Sequence, residues 1–185
     1  MLFFVATIVI IGLYIIAIYN GLVRCNQQVK EAWSTIDTQL KRRYDLIPNL
    51  IETVKGYTKH EKSTLENIVK ARNAAMNANG AQGKAEAENS LAGALKSVFA
   101  LSENYPELKA NENFKELQKE LADTENKIQA SRQIYNAVVL ALNTKVETFP
   151  SNLIAQKFNF SKAEFFKMDN DESAKAQNAP KVKFE

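Results

Sequence analysis

The stretch FKELQKELADTENKIQASRQIYNAVVLALNTKVETF, residues 114–149, decides the fold. In it Phe114, Leu121, Ile128, Tyr135, Leu142 and Phe149 recur every seven residues. Leu117 and Val138 fill some of the companion positions, and Thr124, Ser131 and Lys145 fill others. A sustained seven-residue repeat is the pattern of a helix that lays one seam against another helix. Read from Glu107 to Thr148, it predicts a rod of about 42 residues, roughly 63 Å at about 1.5 Å per residue. Such a rod needs a partner of like length. The polar companion positions predict a thin seam that other helices or other subunits complete.

Only the segment from Gly21 to about Asn79 is long enough to be that partner. Val29, Trp33, Ile36, Leu40, Ile47, Leu50 or Ile51, Val54 and Tyr57 follow steps of three and four once Arg43 is counted in the stripe, and Leu65, Ile68 and Val69 continue it. Pro48 interrupts, since a proline inside a helix removes a backbone bond and crowds the preceding turn. A kink there, or a break capped by Asp45, is expected. The glycines of residues 77–85, NANGAQGKA, mark a loop. A helix over 86–104 follows, with Leu91, Leu95, Val98 and Phe99 inward, and Pro106-Glu107 suits the first turn of the next. With six Gly and four Pro in 185 residues, the chain favours long elements over a many-turned sheet.

Upstream, Leu2 to Tyr19 read LFFVATIVIIGLYIIAIY, with no charge and Thr7 as the one clearly polar side chain. A bilayer span needs about 20 mainly apolar residues, so the run is just long enough. A cleaved signal peptide would carry a basic leading region and a small-x-small cleavage site. No Lys or Arg precedes Arg24, and Tyr19-Asn20-Gly21-Leu22 is a poor site for cleavage. Arg24 also stands where lipoprotein processing at Cys25 would want a small residue. A retained anchor is therefore expected. Arg24, Lys30, Lys41, Arg42 and Arg43 all follow the run, which puts the N-terminus outside and the body in the cytoplasm.

The expected fold is all-α: an N-terminal transmembrane helix followed by an elongated antiparallel helical bundle. Residues 1–20 form the anchor and 21–150 the bundle. Residues 151–168 form a Phe-rich segment packing on the bundle or a partner, and 169–185 a flexible tail. Phe158, Phe160, Phe165 and Phe166 read first as a flap on the bundle and second as an apolar docking site. Val182 and Phe184 alternate with charges in the closing KVKFE and suit docking on a partner. Lys41-Arg42-Arg43 is the strongest basic feature. It lies about 35 Å beyond Tyr19 along an upright helix, several Debye lengths from any headgroup. Pairing with Asp37, Asp45 or the acidic face of the last helix is the simpler reading.

Signs of catalysis are missing. One Cys and one His cannot make an ordinary zinc cluster or the two Glu-x-x-His motifs of a di-iron bundle. His60-Glu61 lacks the second histidine of a metalloprotease helix, with Thr64 in its place. His60 reads as a solvated surface residue and Cys25 as a plain interfacial one. Phosphate-binding glycine loops and a nucleophile elbow are also lacking. No enzyme activity and no cofactor are expected, and a net charge of +3 is too small to argue for nucleic acid. The partners expected are the bilayer through residues 2–19, further copies of the chain, and other membrane proteins.

Specific segments carry a family likeness. They are Tyr19-Asn20-Gly21-Leu22-Val23, Ala32-Trp33, Ile36-Asp37, Leu40 through Leu50, Thr53 through Tyr57, His60-Glu61 and Ala71-Arg72. The likeness resumes at Phe99 through Pro106, Lys109 through Phe114, Thr124-Glu125-Asn126, Arg132, Tyr135-Asn136, Phe149-Pro150 and Pro180 through Phe184. In this order and over nearly the whole chain after the anchor, the sequence resembles the LemA family. The resemblance implies a bacterial membrane protein with one N-terminal span and a cytoplasmic helical body, and no enzymatic activity. It also implies relatives in magnetosome membrane biogenesis and gene neighbours that encode membrane proteases or other envelope proteins. The roles left open are a self-associating scaffold and an adaptor for a membrane protease or signalling partner.

Overall fold

A computed structural model describes residues 1–57 and 61–167. Six helices follow in order: α1 (Leu2–Lys55), α2 (Lys62–Asn77), α3 (Ala81–Ser102), α4 (Pro106–Ala110), α5 (Glu112–Glu147) and α6 (Ser151–Lys157). No strand occurs among the described residues. The fold is an all-helical bundle with a long apolar N-terminal helix.

The chain divides into two compact units, the first being Met1–Leu46 with Lys119–Phe165. Its first layer is α1, whose opening turns bury nothing: the side chains from Met1 to Ile11 are all exposed. Their one polar group is satisfied inside the helix, Thr7 Oγ1 donating to the Phe3 carbonyl at 2.8 Å, which removes the cost of that hydroxyl in an apolar medium. From Leu22 the helix acquires an inner face. Leu22, Cys25, Val29, Ala32, Ile36, Leu40 and Tyr44 are buried at the three-and-four spacing of one helical stripe. Cys25 is thus a free, buried thiol.

The opposing layer is α5. Leu121, Thr124, Ile128, Ser131, Tyr135, Val139 and Leu142 line its inner face. Gly21 meets Lys145, Trp33 meets Tyr135 and Arg43 meets Glu125, so the two helices run antiparallel. Each fully buried Leu or Ile on this seam contributes about 1.5–3 kcal/mol. The stripe departs from a strict seven at its end, because Val139 is buried, Val138 only half-buried and Phe149 exposed. Polar Thr124 and Ser131 are buried within the chain, Thr124 donating to the Glu120 carbonyl at 2.6 Å. These two positions need no second subunit to cover them.

Among the described residues, the second unit comprises Ile47–Gln118 with Phe166 and Lys167. Here Pro48 lies exposed inside α1, and the helix continues to Lys55 with Ile47, Leu50, Ile51 and Val54 buried. Asp45 therefore caps nothing. The break comes later, where Tyr57 N–H donates to the Val54 carbonyl in a turn at Gly56. The apolar stripe through Leu65 and Ile68 belongs to a separate helix, α2, and not to a continuation of α1.

Helices α2 and α3 form a hairpin across Gly80, whose φ of 72° suits the one residue without a Cβ. The Lys84 ammonium donates to the Ala75 carbonyl at 2.9 Å. It thereby satisfies the end of α2 where the helix dipole favours a cation. The rod expected from Glu107 starts late: α4 ends at Ala110, and Asn111 breaks away with ψ 126°. Asn111 Oδ1 accepts from Phe114 N–H at 3.0 Å, an N-cap that starts α5 afresh. Its Nδ2 donates to the Tyr57 hydroxyl at 2.9 Å.

Candidate functional site

Three places bear on function, all within the first unit. The first is the basic triplet. Lys41 and Arg42 face solvent, while Arg43 is buried with its side chain 5% exposed. Arg43 lies on the inner stripe of α1, where its guanidinium reaches the facing helix. It meets Glu125 at 2.8 Å, and Arg42 meets Asp123 at 3.2 Å. The pairing is to α5, and not to Asp37 or Asp45. Asp123 also accepts from Lys127 at 2.8 Å. That lysine first, and the Arg42 guanidinium after it, hold the Asp123 carboxyl below its ordinary range.

The second place is the seam around Tyr135. Its ring lies 5.4 Å from Trp33, and its hydroxyl donates to the Glu164 carbonyl at 2.9 Å. Burial, and then the Glu164 carboxylate, push the Tyr135 phenol above its ordinary value. It remains a neutral donor. Asn143 grips the same returning segment from both sides: its Nδ2 donates to the Ala163 carbonyl at 3.0 Å, and its Oδ1 accepts from Ala163 N–H at 2.9 Å. Residues 161–167 lack regular structure, and these side-chain bonds serve backbone groups that no helix ladder supplies.

The third place is an aromatic collar where the apolar run ends. Tyr19 lies 4.8 Å from Phe158 and 5.9 Å from Phe160, ring centre to ring centre. The corner after α5, with a cis Phe149-Pro150 bond, is locked by Ser151 Oγ, whose one proton is shared between the Lys145 and Thr148 carbonyls at 2.6 and 2.9 Å. Between this corner and α1 lies a groove of about 340 Å³ lined by Tyr14, Ala17, Ile18, Gly21, Lys145, Pro150 and Ser151.

The four phenylalanines thus have different fates. Phe158 is half-exposed on the collar, Phe160 and Phe165 are partly covered, and Phe166 is fully buried. Val182, Phe184 and His60 lie outside the described residues, as does the segment 169–185. Sequence reasoning missed the partnership of Tyr19 with the phenylalanines, because nothing local links positions so far apart. The available signal was Tyr19 as an interfacial aromatic. Among the described residues no group of three or more His, Cys, Asp or Glu side chains is placed to hold a metal ion.

Residues 32–184 match the model of the LemA family. The chain belongs to the LemA family. Protein LemA of Metamycoplasma hominis is 30% identical over 183 residues, covering 93% of this chain and 82% of that one. Magnetosome protein MamQ of Magnetospirillum gryphiswaldense is 22% identical over 174 residues, 80% of this chain and 64% of its own length. Magnetosome protein MamQ 2 of Paramagnetospirillum magneticum is 21% identical with the same coverage. The chain spans less than two thirds of these magnetosome proteins. The LemA match begins at residue 32, beyond the apolar run, so it rests on the helical body. In this LemA-family chain the run itself is a helix long and apolar enough to cross a membrane.

Proposed function

We propose that this LemA-family chain is a scaffold of the bacterial inner membrane. Residues 2–19 cross the bilayer, the N-terminus lies outside and the body lies in the cytoplasm. The bodies associate side by side through α5. The carrying observation is a second stripe on α5, turned away from its buried one. Ala130, Ile134, Ala137 and Ala141 are exposed at steps of four, three and four, with Leu140 beside them. Ile134 is 60% and Leu140 58% exposed, although branched side chains of this size are ordinarily covered. Small residues alternating with branched ones let two helices approach closely. The buried seam supplies no such surface, since Thr124 and Ser131 are already covered. The Lys and Arg residues that follow the run support the orientation.

The test is crosslinking of the full chain in its native membrane, followed by gentle extraction and measurement of mass. A homo-oligomer is expected, lost in the Ile134→Asp, Leu140→Asp double variant. A monomer overturns the scaffold. A complex with a different protein turns the chain into an adaptor for that protein, of the membrane-protease or signalling kind.

A further inference from the structure

We infer that the chain touches the bilayer at a second place: the corner joining α5 to α6, Phe149 to Phe158, is immersed in the interface of the membrane that α1 crosses. The inference rests on reading residues 2–19 as a span.

Depth is the first argument. Leu2 to Tyr19 measure only about 27 Å at about 1.5 Å per residue, against a hydrocarbon core of about 30 Å. No turn of the run can be left in water. Yet Pro150 and Ser151 line one groove with Tyr14, Ala17 and Ile18. Tyr14 lies roughly 7 Å along the helix axis inside Tyr19. A corner level with Tyr14 to Ile18 therefore lies at or below the surface that Tyr19 marks. Phe158 and Phe160 against the Tyr19 ring fix the other end of the corner at the same level.

Composition agrees. Ala155 is the buried residue of α6, and Leu153, two residues away, points to the opposite side. Phe149, in the corner before α6, is 79% exposed, Leu153 56% and Phe158 51%. Three large apolar side chains on so short a segment are costly in water and favourable in acyl chains. The cations nearby suit anionic phospholipid. Arg24 and Lys157 are exposed, and the Lys145 ammonium reaches the Gly21 carbonyl at 3.4 Å. Lysine at this level can keep its stem in the apolar layer and its ammonium among phosphates. Glu147 in the same stretch is paired with Lys162 at 2.7 Å.

The experiment uses the full chain in Cys25→Ala background, reconstituted into vesicles of phosphatidylcholine and phosphatidylglycerol. A nitroxide is attached at one introduced cysteine at a time: Ile10→Cys, Leu153→Cys or Lys41→Cys. Collision with oxygen, which concentrates in acyl chains, is compared with collision with a water-soluble nickel chelate. Ile10 and Leu153 are expected to favour oxygen, with Leu153 the shallower, and Lys41 to favour nickel. Leu153 behaving like Lys41 while Ile10 favours oxygen overturns the corner contact and leaves the anchor standing. Ile10 behaving like Lys41 overturns both. Should the Leu153 variant lose helix content, Phe149→Cys takes its place and its outcomes read the same way.

Discussion

Residues Leu2 to Tyr19 and Leu22 to Tyr44 lie on one uninterrupted helix, yet their side chains meet different surroundings. The first stretch is apolar on every side, and from Met1 to Ile11 nothing in the chain covers it; only its last turns meet the collar. The second is apolar on one stripe, and that stripe is fully covered, chiefly by α5. A helix apolar all round calls for an apolar medium, and one with a single stripe calls for a protein partner. The changeover falls within one turn, between Tyr19 and Leu22. It is made by sequence alone, with no loop or proline between the two.

Substitutions can break this contrast. The largest effect is expected in the covered half. Leu40→Ala removes a side chain with no exposed surface and should cost about 2–5 kcal/mol in chemical denaturation of the detergent-solubilised protein. Ile10→Ala, in the uncovered half, should leave the same transition in place. Equal effects at the two positions would mean that the first stretch packs on protein after all.

A smaller effect sharpens the picture of the charged seam. Arg43→Ala leaves Glu125 facing a buried position without its partner, and a loss of about 2–3 kcal/mol is expected, at the low end for a buried pair because Glu125 is itself partly solvated. Arg42→Ala, whose pair with Asp123 is about half exposed on both sides, should scarcely move the transition. A reversed order would show that exposure does not rank the two arginines.

The smallest effect depends on pH. Lys127 and Arg42 hold the Asp123 carboxyl below its ordinary value of 3.8. A carboxyl whose folded value is depressed stabilises the fold above its unfolded value and ceases to do so as pH falls through the folded one. Wild-type stability should therefore fall slightly more than that of Asp123→Asn as pH drops below about 4. Parallel curves would assign no part of the acid sensitivity to this group.

Much of the fold was legible because helical periodicity is local. The steps from Val29 to Leu40 and from Phe114 to Leu142 mark the faces that the structure buries. Arg43 stood out because a cation on an apolar stripe needs a partner opposite. The misreadings occur where one residue decides between competing geometries. Pro48 was expected to kink or break α1, and the break does not occur: its neighbours Ile47, Leu50 and Ile51 are held by packing, and tertiary burial outweighs one missing backbone bond. Asn111 looked like the interior of a rod, yet its side chain serves both a fresh helix start and Tyr57. The collar was illegible, since Tyr19 and Phe158 meet only after α5 has brought the chain back to the base of α1.

The unbroken passage of α1 through the collar also has a mechanical consequence. From Asn20 to Leu46 the helix is a stiff arm about 40 Å long, at about 1.5 Å per residue. With the run seated in a bilayer, a change of about 10° in its tilt, well within the range that membrane helices adopt, would swing the far end of that arm by about 7 Å. In that setting a tilt of the run at one end would become displacement at the other, with no break in the helix between them to absorb it.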